Sequence, residues 1–316
     1  MIRMTDVSRA AEMLKAADDI MIITHTRPDG DTLGAGFALL YALRSLGKRC
    51  FVANPDVVTP NLLPVTEGRT RLPVEFEPKF IIAADIAELS LMDDLAPYGE
   101  RADLCIDHHK SNRHYAKFTL LDEKAGSACE IVYDLLGELG VAMTPEIATA
   151  LYAGLSTDTG CFRYQNNTPK TMRAAAETME AGADFAALNK IFFETVSKER
   201  ALLIRELYDN MELFCDGKLA VSYIDLHDYS EDDYDGLSGE LRKIDGVVAS
   251  SLLRNMGNNE FKLSARSNGG FDCSALCAAF GGGGHVGAAG ATLTGGLREC
   301  MELAKSAMEA ELRRNA

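Results

Sequence analysis

KFIIAAD, residues 79–85, is an apolar run of strand length that ends in an aspartate. The next such run, DLCIDHH at residues 103–109, has the same form, and DIMIIT (residues 19–24) and KRCFVA (residues 48–53) precede them. Amphipathic stretches of helical periodicity alternate with these runs. The alternation predicts an α/β domain built on a parallel sheet, and ligands bind such sheets at the carboxyl ends of the strands.

Polar side chains crowd the ends of these runs. Histidines and carboxylates occur there at four places, namely His25, Asp29 and Asp31, then Asp85, then Asp107, His108 and His109, and finally Asp158 after a helical stretch. A lone aspartate at a helix start is explained equally well as an N-cap. So many carboxylates at one sheet edge would nevertheless repel one another strongly unless cations bind between them.

The residue types at these positions indicate the kind of cation. Carboxylate oxygens and imidazole nitrogens suit Mn²⁺, Mg²⁺ or Fe²⁺ better than a thiolate-preferring metal. Two such ions about 3.5–4 Å apart, bridged by one carboxylate, can activate water for in-line attack on phosphorus. The pattern therefore predicts a two-metal hydrolase of phosphate esters.

The composition limits the kind of substrate. The chain has 316 residues, 47% of them hydrophobic, and a formal net charge of −15. Its length allows two domains with separate cores. The charge argues against a long anionic partner such as duplex nucleic acid gripped along its backbone. A short anion remains compatible with it, because two bound metals can make a single pocket positive.

The chain carries no recognisable export or membrane signal. Its N-terminus is interrupted by charges and lacks the apolar run of a signal peptide, and the longest uncharged stretches are too rich in glycine and alanine to read as membrane spans. Eight cysteines form no zinc or disulfide pattern. The sequence therefore predicts a soluble cytoplasmic protein without a membrane partner.

A second domain is predicted after a long helical segment. Its strand-like runs are KLAVSYID (residues 218–225), GVVASSLL (246–253) and EFKLSAR (260–266), followed by the glycine cluster Gly281–Gly284 and a helix from Leu297. The mixture indicates a smaller α+β domain. Glycines let backbone N–H groups approach a phosphate closely, although a glycine run alone is equally typical of a hinge.

In this order the motifs resemble the DHH phosphoesterase family, and within it the DHH/DHHA1 proteins that act as nano-RNases and pAp phosphatases. The resemblance spans nearly the whole chain. It rests on His25-x3-Asp29-Gly30-Asp31, on Asp85, on Asp107-His108-His109, on Thr157–Tyr164, and on Gly281–His285 with Ala288-Ala289-Gly290. Asp85-Ile86-Ala87 departs from the family's usual Asp-Thr-Ala or Asp-Cys-Ser, which leaves the metal ligand intact.

The resemblance implies a role for each polar residue of the first domain. It implies two divalent ions, with Mn²⁺ favoured and Mg²⁺ as the alternative. One ion would be bound by His25, Asp29 and Asp85, and the other by Asp31, Asp85, His108 and Asp158. Asp107 would orient a histidine, since ligating imidazoles donate their second N–H to an acceptor. His109 would contact a phosphate or act as general acid.

The resemblance also implies the domain boundaries. They are a DHH catalytic domain at residues 1–185, a helical linker at 186–214 and a DHHA1 substrate-binding domain at 215–316, with the active site in the cleft between the domains. The substrate-binding residues expected in the second domain are Arg266, Ser264, Gly283, Gly284, His285 and Arg254. For Arg254, a solvated charge at the end of a strand is the stronger explanation.

Several functions fit this pattern. The first two are cleavage of short RNA to mononucleotides and conversion of pAp to AMP and phosphate. Hydrolysis of linear or cyclic dinucleotides is the alternative, and a non-catalytic nucleotide-binding regulator is the alternative of a different class. A regulator would be favoured by a missing ligand, and none is missing. The sequence leaves the oligomeric state open, and a homodimer is compatible with the frequency of such assemblies.

Overall fold

The structure divides into two compact units. It is a computed structural model in which residues 3–234 and 236–314 are described. The first unit ends at Thr195 and the second begins at Val196, inside the segment predicted as a helical linker. Across the described ranges, no helix is long and apolar enough to cross a membrane.

The first unit is built on a parallel sheet, as predicted. Its helices are α1 (Val7–Ala16), α2 (Gly30–Ser45), α3 (Ala96–Gly99), α4 (Ala128–Leu139), α5 (Pro145–Asp158), α6 (Pro169–Glu180) and α7 (Phe185–Phe193). Its strands are β1 (Ile20–Ile23), β2 (Cys50–Ala53), β3 (Phe80–Ala84), β4 (Leu104–Asp107) and β5 (Phe118–Leu121), in the order β2-β1-β3-β4-β5. Strands β1 to β4 are the four predicted runs, and β5 was not predicted.

Both faces of this sheet are buried. Ile20 and Ile22 of β1 belong to the core that contains residues of α2, α4 and α5. Met21 and Ile23 point to the opposite face and belong to a second, smaller core. This explains why the strands are continuous apolar runs instead of alternating ones, because period-two alternation would leave one face polar.

A glycine brings α5 close to α2 and α4. At Gly154 of α5, an added Cβ would lie 2.5 Å from Oδ1 of Asp31 and 2.3 Å from Sγ of Cys129. Only glycine allows so close an approach. As a result, the end of α5 carries Asp158 to the start of α2, where Asp31 lies.

The second unit is a mixed α+β domain, as predicted. Its helices are α8 (Lys198–Asp209), α9 (Glu231–Tyr234), α10 (Cys273–Ala278) and α11 (Leu297–Arg314). Its strands are β6 (Glu212–Phe214), β7 (Leu219–Ile224), β8 (Ala249–Gly257), β9 (Glu260–Ser267), β10 (Gly283–His285) and β11 (Ala288–Thr294), in the order β10-β11-β9-β8-β7-β6. Strands β7 and β8 are parallel, and the other pairs are antiparallel.

The segment predicted as a linker, residues 186–214, contributes to both units. Helix α7 lies in the first unit, whereas α8 and β6 lie in the second. Leu203 and Leu207, four residues apart on one face of α8, share a buried core with Ala220 and Ile224 of β7. Helix α8 is therefore a structural element of the second unit.

Candidate active site

The first unit brings together all six predicted metal ligands. They are His25 after β1, Asp29 and Asp31 at the start of α2, Asp85 after β3, His108 after β4 and Asp158 at the end of α5. Two groups of three among these ligands have atoms within 4.8 Å of one another, namely His25, Asp29 and Asp85, and Asp31, His108 and Asp158, and Asp85 and His108 form a further group with His109. Because parallel strands end at the same edge, residues far apart in sequence meet there.

Asp85 lies between the two groups. Its Oδ2 is 3.6 Å from Nε2 of His25, and its Oδ1 is 3.6 Å from Nε2 of His108. The side chain is only 3% exposed, and the residue has a positive φ of 60°. Such a backbone is uncommon outside glycine and is typical of strained functional positions. The two oxygens of one carboxylate thus face two separate sets of ligands.

The other two carboxylates near α2 are fixed by backbone N–H groups. Oδ1 of Asp29 accepts hydrogen bonds from the N–H groups of Asp31 (2.9 Å) and Thr32 (3.0 Å), so Asp29 is an N-cap as well as a member of the cluster. Asp31 is buried and accepts from the N–H groups of Ala128 (2.6 Å) and Cys129 (2.9 Å) at the start of α4. The two interpretations of Asp29, N-cap and ligand, are therefore compatible.

The two ligand histidines turn the same nitrogen towards the carboxylates. In His25, Nδ1 lies 2.7 Å from the carbonyl oxygen of Thr26, and in His108, Nδ1 lies 3.3 Å from that of Ala125. A proton on Nδ1 leaves the lone pair of Nε2 free to coordinate a metal ion in each ring. Second hydrogen bonds of this kind usually orient metal-ligating histidines.

The pKa values in this cluster move in the direction expected for crowded negative charge. Burial, followed by the charge of Asp158, raises the pKa of Asp31 to about 7. Burial, followed by the charge of Asp31, raises the pKa of Asp85 well above its usual 3.8. Burial alone would lower the pKa of His108, but the neighbouring carboxylates, Asp158 first, outweigh it and raise that pKa to about 10. The cluster therefore favours added positive charge.

The cluster fits divalent metal ions. One of its buried atoms, Oδ1 of Asp85, has no hydrogen-bond partner among the described residues. An unpaired buried polar group costs about 1–3 kcal/mol, so native proteins seldom contain one without a ligand or water. Oxygen and imidazole donors are the set that Mn²⁺, Mg²⁺ and Fe²⁺ accept. The first unit thus contains a candidate metal site.

Asp107 and His109 form a pair that adjoins the cluster, since Nδ1 of His109 lies 3.4 Å from Oδ1 of Asp85. Oδ1 of Asp107 lies 2.8 Å from Nδ1 of His109, and the side chain of His109 is 46% exposed. Asn112, which sequence analysis missed because an isolated asparagine carries no signal, donates to Oδ2 of Asp107. Although burial opposes the change, hydrogen bonds from His109 and Asn112 lower the pKa of Asp107. Asp107 therefore contacts the ring of His109, whereas from His108 it accepts only the backbone N–H.

Four of the six predicted substrate-binding residues of the second unit occupy one face of its sheet in two neighbouring rows. In the first row Arg266 of β9 pairs with Ala288 of β11, which pairs with His285 of β10. In the second row Ser264, Gly290 and Gly283 pair in the same way. Residues directly opposite each other project from the same face. The fold therefore places Arg266, His285, Ser264 and Gly283 together.

The charged members of these rows are accessible. His285 is exposed, and Arg266 is partly exposed and donates from Nη1 to the carbonyl oxygen of Ala265, 2.9 Å away. Gly284 has a different reason to be glycine. Its φ is +149°, and an added Cβ would lie 2.6 Å from the carbonyl oxygen of Ala288. Close packing against β11 thus requires Gly284, whereas an added Cβ at Gly283 would meet nothing within 4 Å.

Arg254 lies one row beyond Ser264 and is bound to an acidic residue. Its Nη1 and Nη2 donate to the two carboxylate oxygens of Glu231 at 2.9 and 2.6 Å, and its guanidinium lies 3.4 Å from the ring centroid of Tyr234. The side chain is 15% exposed. Arg254 is therefore not the solvated strand-end charge that its sequence position favoured.

Comparison with known proteins identifies both units. The chain matches the DHH family, N-terminal domain, over residues 19–155 and the DHHA1 domain over residues 216–314. The bifunctional oligoribonuclease and PAP phosphatase NrnA of Thermus thermophilus is 36% identical, and the alignment covers 96% of this chain and 94% of that protein. The protein of the same name from Bacillus subtilis is 27% identical, with 87% and 90% covered.

Solved structures agree with these matches. An exopolyphosphatase-related protein from Bacteroides fragilis superimposes with a TM-score of 0.85 and 26% identity, and the match covers 98% of this chain and 97% of that one. Exonuclease RecJ bound to manganese shares the fold, with a TM-score of 0.54, 16% identity and coverage of 98% and 94%. Both domains match in order and a relative above 30% identity spans nearly the whole chain, so the chain belongs to the DHH family and carries a DHHA1 domain as its second unit.

Proposed function

We propose that this chain is a phosphoesterase that hydrolyses short oligoribonucleotides to mononucleotides and pAp to AMP and phosphate. The observation that carries the proposal is the position of Asp85, whose two carboxylate oxygens face His25 on one side and His108 on the other. A carboxylate shared between two ligand sets is the arrangement used by two-metal hydrolases of phosphate esters. The 36% identity to an oligoribonuclease and PAP phosphatase supports the substrate class.

The proposed ligands divide into two sets that share Asp85. One set is His25, Asp29 and Asp85, and the other is Asp31, Asp85, His108 and Asp158. Divalent ions bound there supply Lewis acidity at phosphorus and lower the pKa of bound water. We favour Mn²⁺ over Mg²⁺, because the imidazole nitrogens of His25 and His108 suit the softer ion better.

His109 is the proposed proton donor. Its half-exposed ring can reach a substrate, and Asp107 holds Nδ1 at 2.8 Å. Because the pKa of Asp107 is lowered, its carboxylate stays ionised and stabilises a protonated imidazole ring. The protonated ring can donate from Nε2 to the leaving oxygen or to a phosphate oxygen. This arrangement, a carboxylate that orients a histidine, is common to general acid catalysts.

Residues of the second unit are proposed to bind a substrate phosphate. Arg266 can replace its hydrogen bond to the carbonyl oxygen of Ala265 with a bidentate contact to phosphate, and His285 is exposed on the same face. Ser264 adds a hydroxyl donor, and Gly283 leaves room for a ligand close to the backbone. None of these contacts needs a long strand, in keeping with the net charge of −15.

A second candidate substrate is a dinucleotide. The cyclic-di-AMP phosphodiesterase GdpP of Geobacillus thermodenitrificans is 26% identical over 90% of this chain, although the match covers only 46% of that protein. The metal cluster would serve a cyclic or linear dinucleotide equally well, since every such substrate presents a phosphodiester. We place this activity second because relatives with 36% and 27% identity have oligoribonuclease and PAP phosphatase names.

Product analysis on three substrates tests the proposal. The purified chain is incubated with Mn²⁺ and an RNA series of two to five nucleotides, with pAp, and with cyclic di-AMP, each with and without chelator. We expect RNA and pAp to be consumed and chelator to stop both. Cleavage of cyclic di-AMP alone would move the dinucleotide activity to first place. Binding without hydrolysis under any divalent ion would contradict the proposal and favour a nucleotide-binding regulator.

The cellular setting and the assembly remain predictions. We propose that the enzyme acts in the cytoplasm and that it forms a homodimer. Analytical ultracentrifugation at several protein concentrations tests the second point, and a monomer at every concentration would contradict it.

A further inference from the structure

A third row of residues continues the face that carries Arg266 and Ser264. Lys262 of β9 pairs with Arg254 of β8 on one side and with Thr292 of β11 on the other. Alternate residues of β9 share a face, and its exposed or partly exposed members are Glu260, Lys262, Ser264 and Arg266, while the residues between them are buried. Lys262 and Arg266 therefore project from the same side of the sheet.

A cavity of about 530 Å³ lies beside this third row. Its lining includes Met256, Glu260, Lys262, Phe280, Gly282 and Thr292. The lining combines apolar side chains, a hydroxyl, a carboxylate and one ammonium. Such a mixture suits a nucleoside, which presents an apolar base face, hydroxyls and amino groups, attached to an anionic phosphate.

An acidic side chain already occupies the positive end of this row. Glu231 forms a bidentate pair with Arg254, and its side chain is 76% exposed. Hydrogen bonding to Arg254 lowers the pKa of Glu231, and the charge of Lys262 adds to the effect. Two cations thus act on one carboxylate at a solvent-accessible position. A phosphate is the other anion that binds an arginine in this bidentate manner.

The spacing of the rows separates this region from the first phosphate position. Lys262 and Arg266 are four residues apart in an antiparallel strand, so their backbones are about 13–14 Å apart. A single nucleotide bound at Arg266 and His285 would not extend to the cavity. The next nucleotides of an oligoribonucleotide would reach the cavity.

We propose that Lys262, together with Arg254, forms a second phosphate subsite on this face, which receives a phosphodiester farther along an oligoribonucleotide, with its nucleoside in the adjoining cavity. The inference rests on the proposed function and adds a residue, Lys262, that determines preference for substrate length. In the unliganded protein Glu231 competes for Arg254, so a longer substrate must displace that carboxylate. Substrates of a single nucleotide, such as pAp, neither use the subsite nor meet this competition.

Steady-state kinetics on substrates of increasing length test this subsite. The full chain and its Lys262→Ala, Glu231→Gln and Lys243→Ala variants are assayed with pAp and with RNA of two, three and four nucleotides. Lys243 is the matched control, since it is an exposed lysine of the same unit that pairs with Glu240. Lys262 is exposed, so its substitution should leave folding intact.

We expect Lys262→Ala to raise KM about tenfold for the longer RNAs, the loss expected for one charged hydrogen bond, and less than about twofold for pAp. Glu231→Gln should lower KM for the same RNAs. Lys243→Ala should leave KM unchanged for both RNA and pAp. Equal effects of Lys262→Ala on pAp and on tetranucleotide, or no effect on either, would overturn the subsite. If the unsubstituted chain cleaves none of these substrates, the proposed function itself fails, which is a different outcome.

Salt dependence provides an independent readout. Each phosphate contact adds to the slope of affinity against salt concentration. For the tetranucleotide, Lys262→Ala should reduce this slope, whereas the slope for pAp should stay unchanged. An unchanged slope for the tetranucleotide would contradict a phosphate contact at Lys262.

Discussion

The two groups of functional residues in this chain are held in opposite ways. In the first unit, Asp31 and Asp85 are buried, Asp31 is fixed by backbone hydrogen bonds, and Oδ1 of Asp85 is unpaired among the described residues. In the second unit, Arg266 and Arg254 are bound to groups that a phosphate can replace, a carbonyl oxygen and the carboxylate of Glu231. Metal ions require fixed ligand positions, whereas a substrate that enters and leaves requires exchangeable partners.

This difference separates the chemical step from affinity. Substitutions in the buried cluster should act mainly on kcat, because they change groups that act on the reacting phosphate. Substitutions on the exposed sheet face should act mainly on KM, because they change groups that hold the substrate in both ground state and transition state. The following experiments test that contrast.

The largest effect is expected at the shared carboxylate. Asp85→Asn should lower kcat by about 10³-fold or more, since the electrostatic contribution of the metal ions is worth several kcal/mol and each 1.36 kcal/mol is a factor of ten. Single-turnover assays with short RNA measure this loss of rate. Asp94→Asn, which removes an exposed carboxylate of the same unit, is the control. A fully active Asp85→Asn protein would refute the two-metal assignment.

A smaller effect is expected at the oriented histidine. Asp107→Asn should lower kcat by about 10- to 100-fold, the range found when a residue that orients an active-site histidine is removed. His109→Gln should act at least as strongly. Because the two residues act through one hydrogen bond, the double variant should be no worse than His109→Gln alone. Strictly additive losses would show that Asp107 has a role independent of His109.

On the sheet face, Arg266→Ala should raise KM about tenfold for both RNA and pAp with little change in kcat, because one charge-assisted contact to phosphate is lost. Arg298→Ala provides the matched control, since Arg298 is an exposed arginine of α11. A loss confined to kcat would place Arg266 in the chemical step and would break the contrast between the two units.

The smallest effect is on stability. In metal-free protein, the raised pKa values of Asp31 (about 7) and His108 (about 10) mean that the folded state holds more protons than the unfolded state. Their stabilisation is complete below the unfolded pKa values and is lost as pH rises through the folded ones. The melting temperature of the first unit should therefore fall between pH 5.5 and 8.5, by about 2–4 °C for each 1 kcal/mol of stabilisation lost.

Scanning calorimetry with and without Mn²⁺ measures this trend. Metal binding favours deprotonated ligands, so the difference in melting temperature between metal-loaded and chelated protein should grow with pH. Asp85→Asn should weaken the pH dependence of the chelated protein. A melting temperature that rises with pH in chelated protein would show that the cluster does not hold extra protons.

Much of the first unit could be predicted because its signals are local. Apolar runs followed by acidic residues identify β1, β3 and β4 together with the ligands at their ends. Strand β5 was missed although Asp122 follows it directly, because its four residues include the polar Thr119 and form a short apolar run. Asn112 was missed because its role depends on a contact with Asp107 that only the folded chain creates.

The second unit was harder to predict because its function depends on strand register. The sequence indicates glycines and arginines but not which of them share a row, and pairing places Arg266 with His285 and Arg254 with Lys262. The assignment of α8 to this unit likewise depends on tertiary packing, since an amphipathic helix does not indicate which core its apolar face joins.

Anomalous diffraction from crystals soaked with Mn²⁺ tests the two-metal site most directly. We expect two peaks per chain on either side of Asp85, one beside His25 and Asp29, and the other beside Asp31, His108 and Asp158. Asp85→Asn crystals should lose at least one of them. A single peak, or none within reach of Asp85, would contradict the two-metal site on which the proposed chemistry depends.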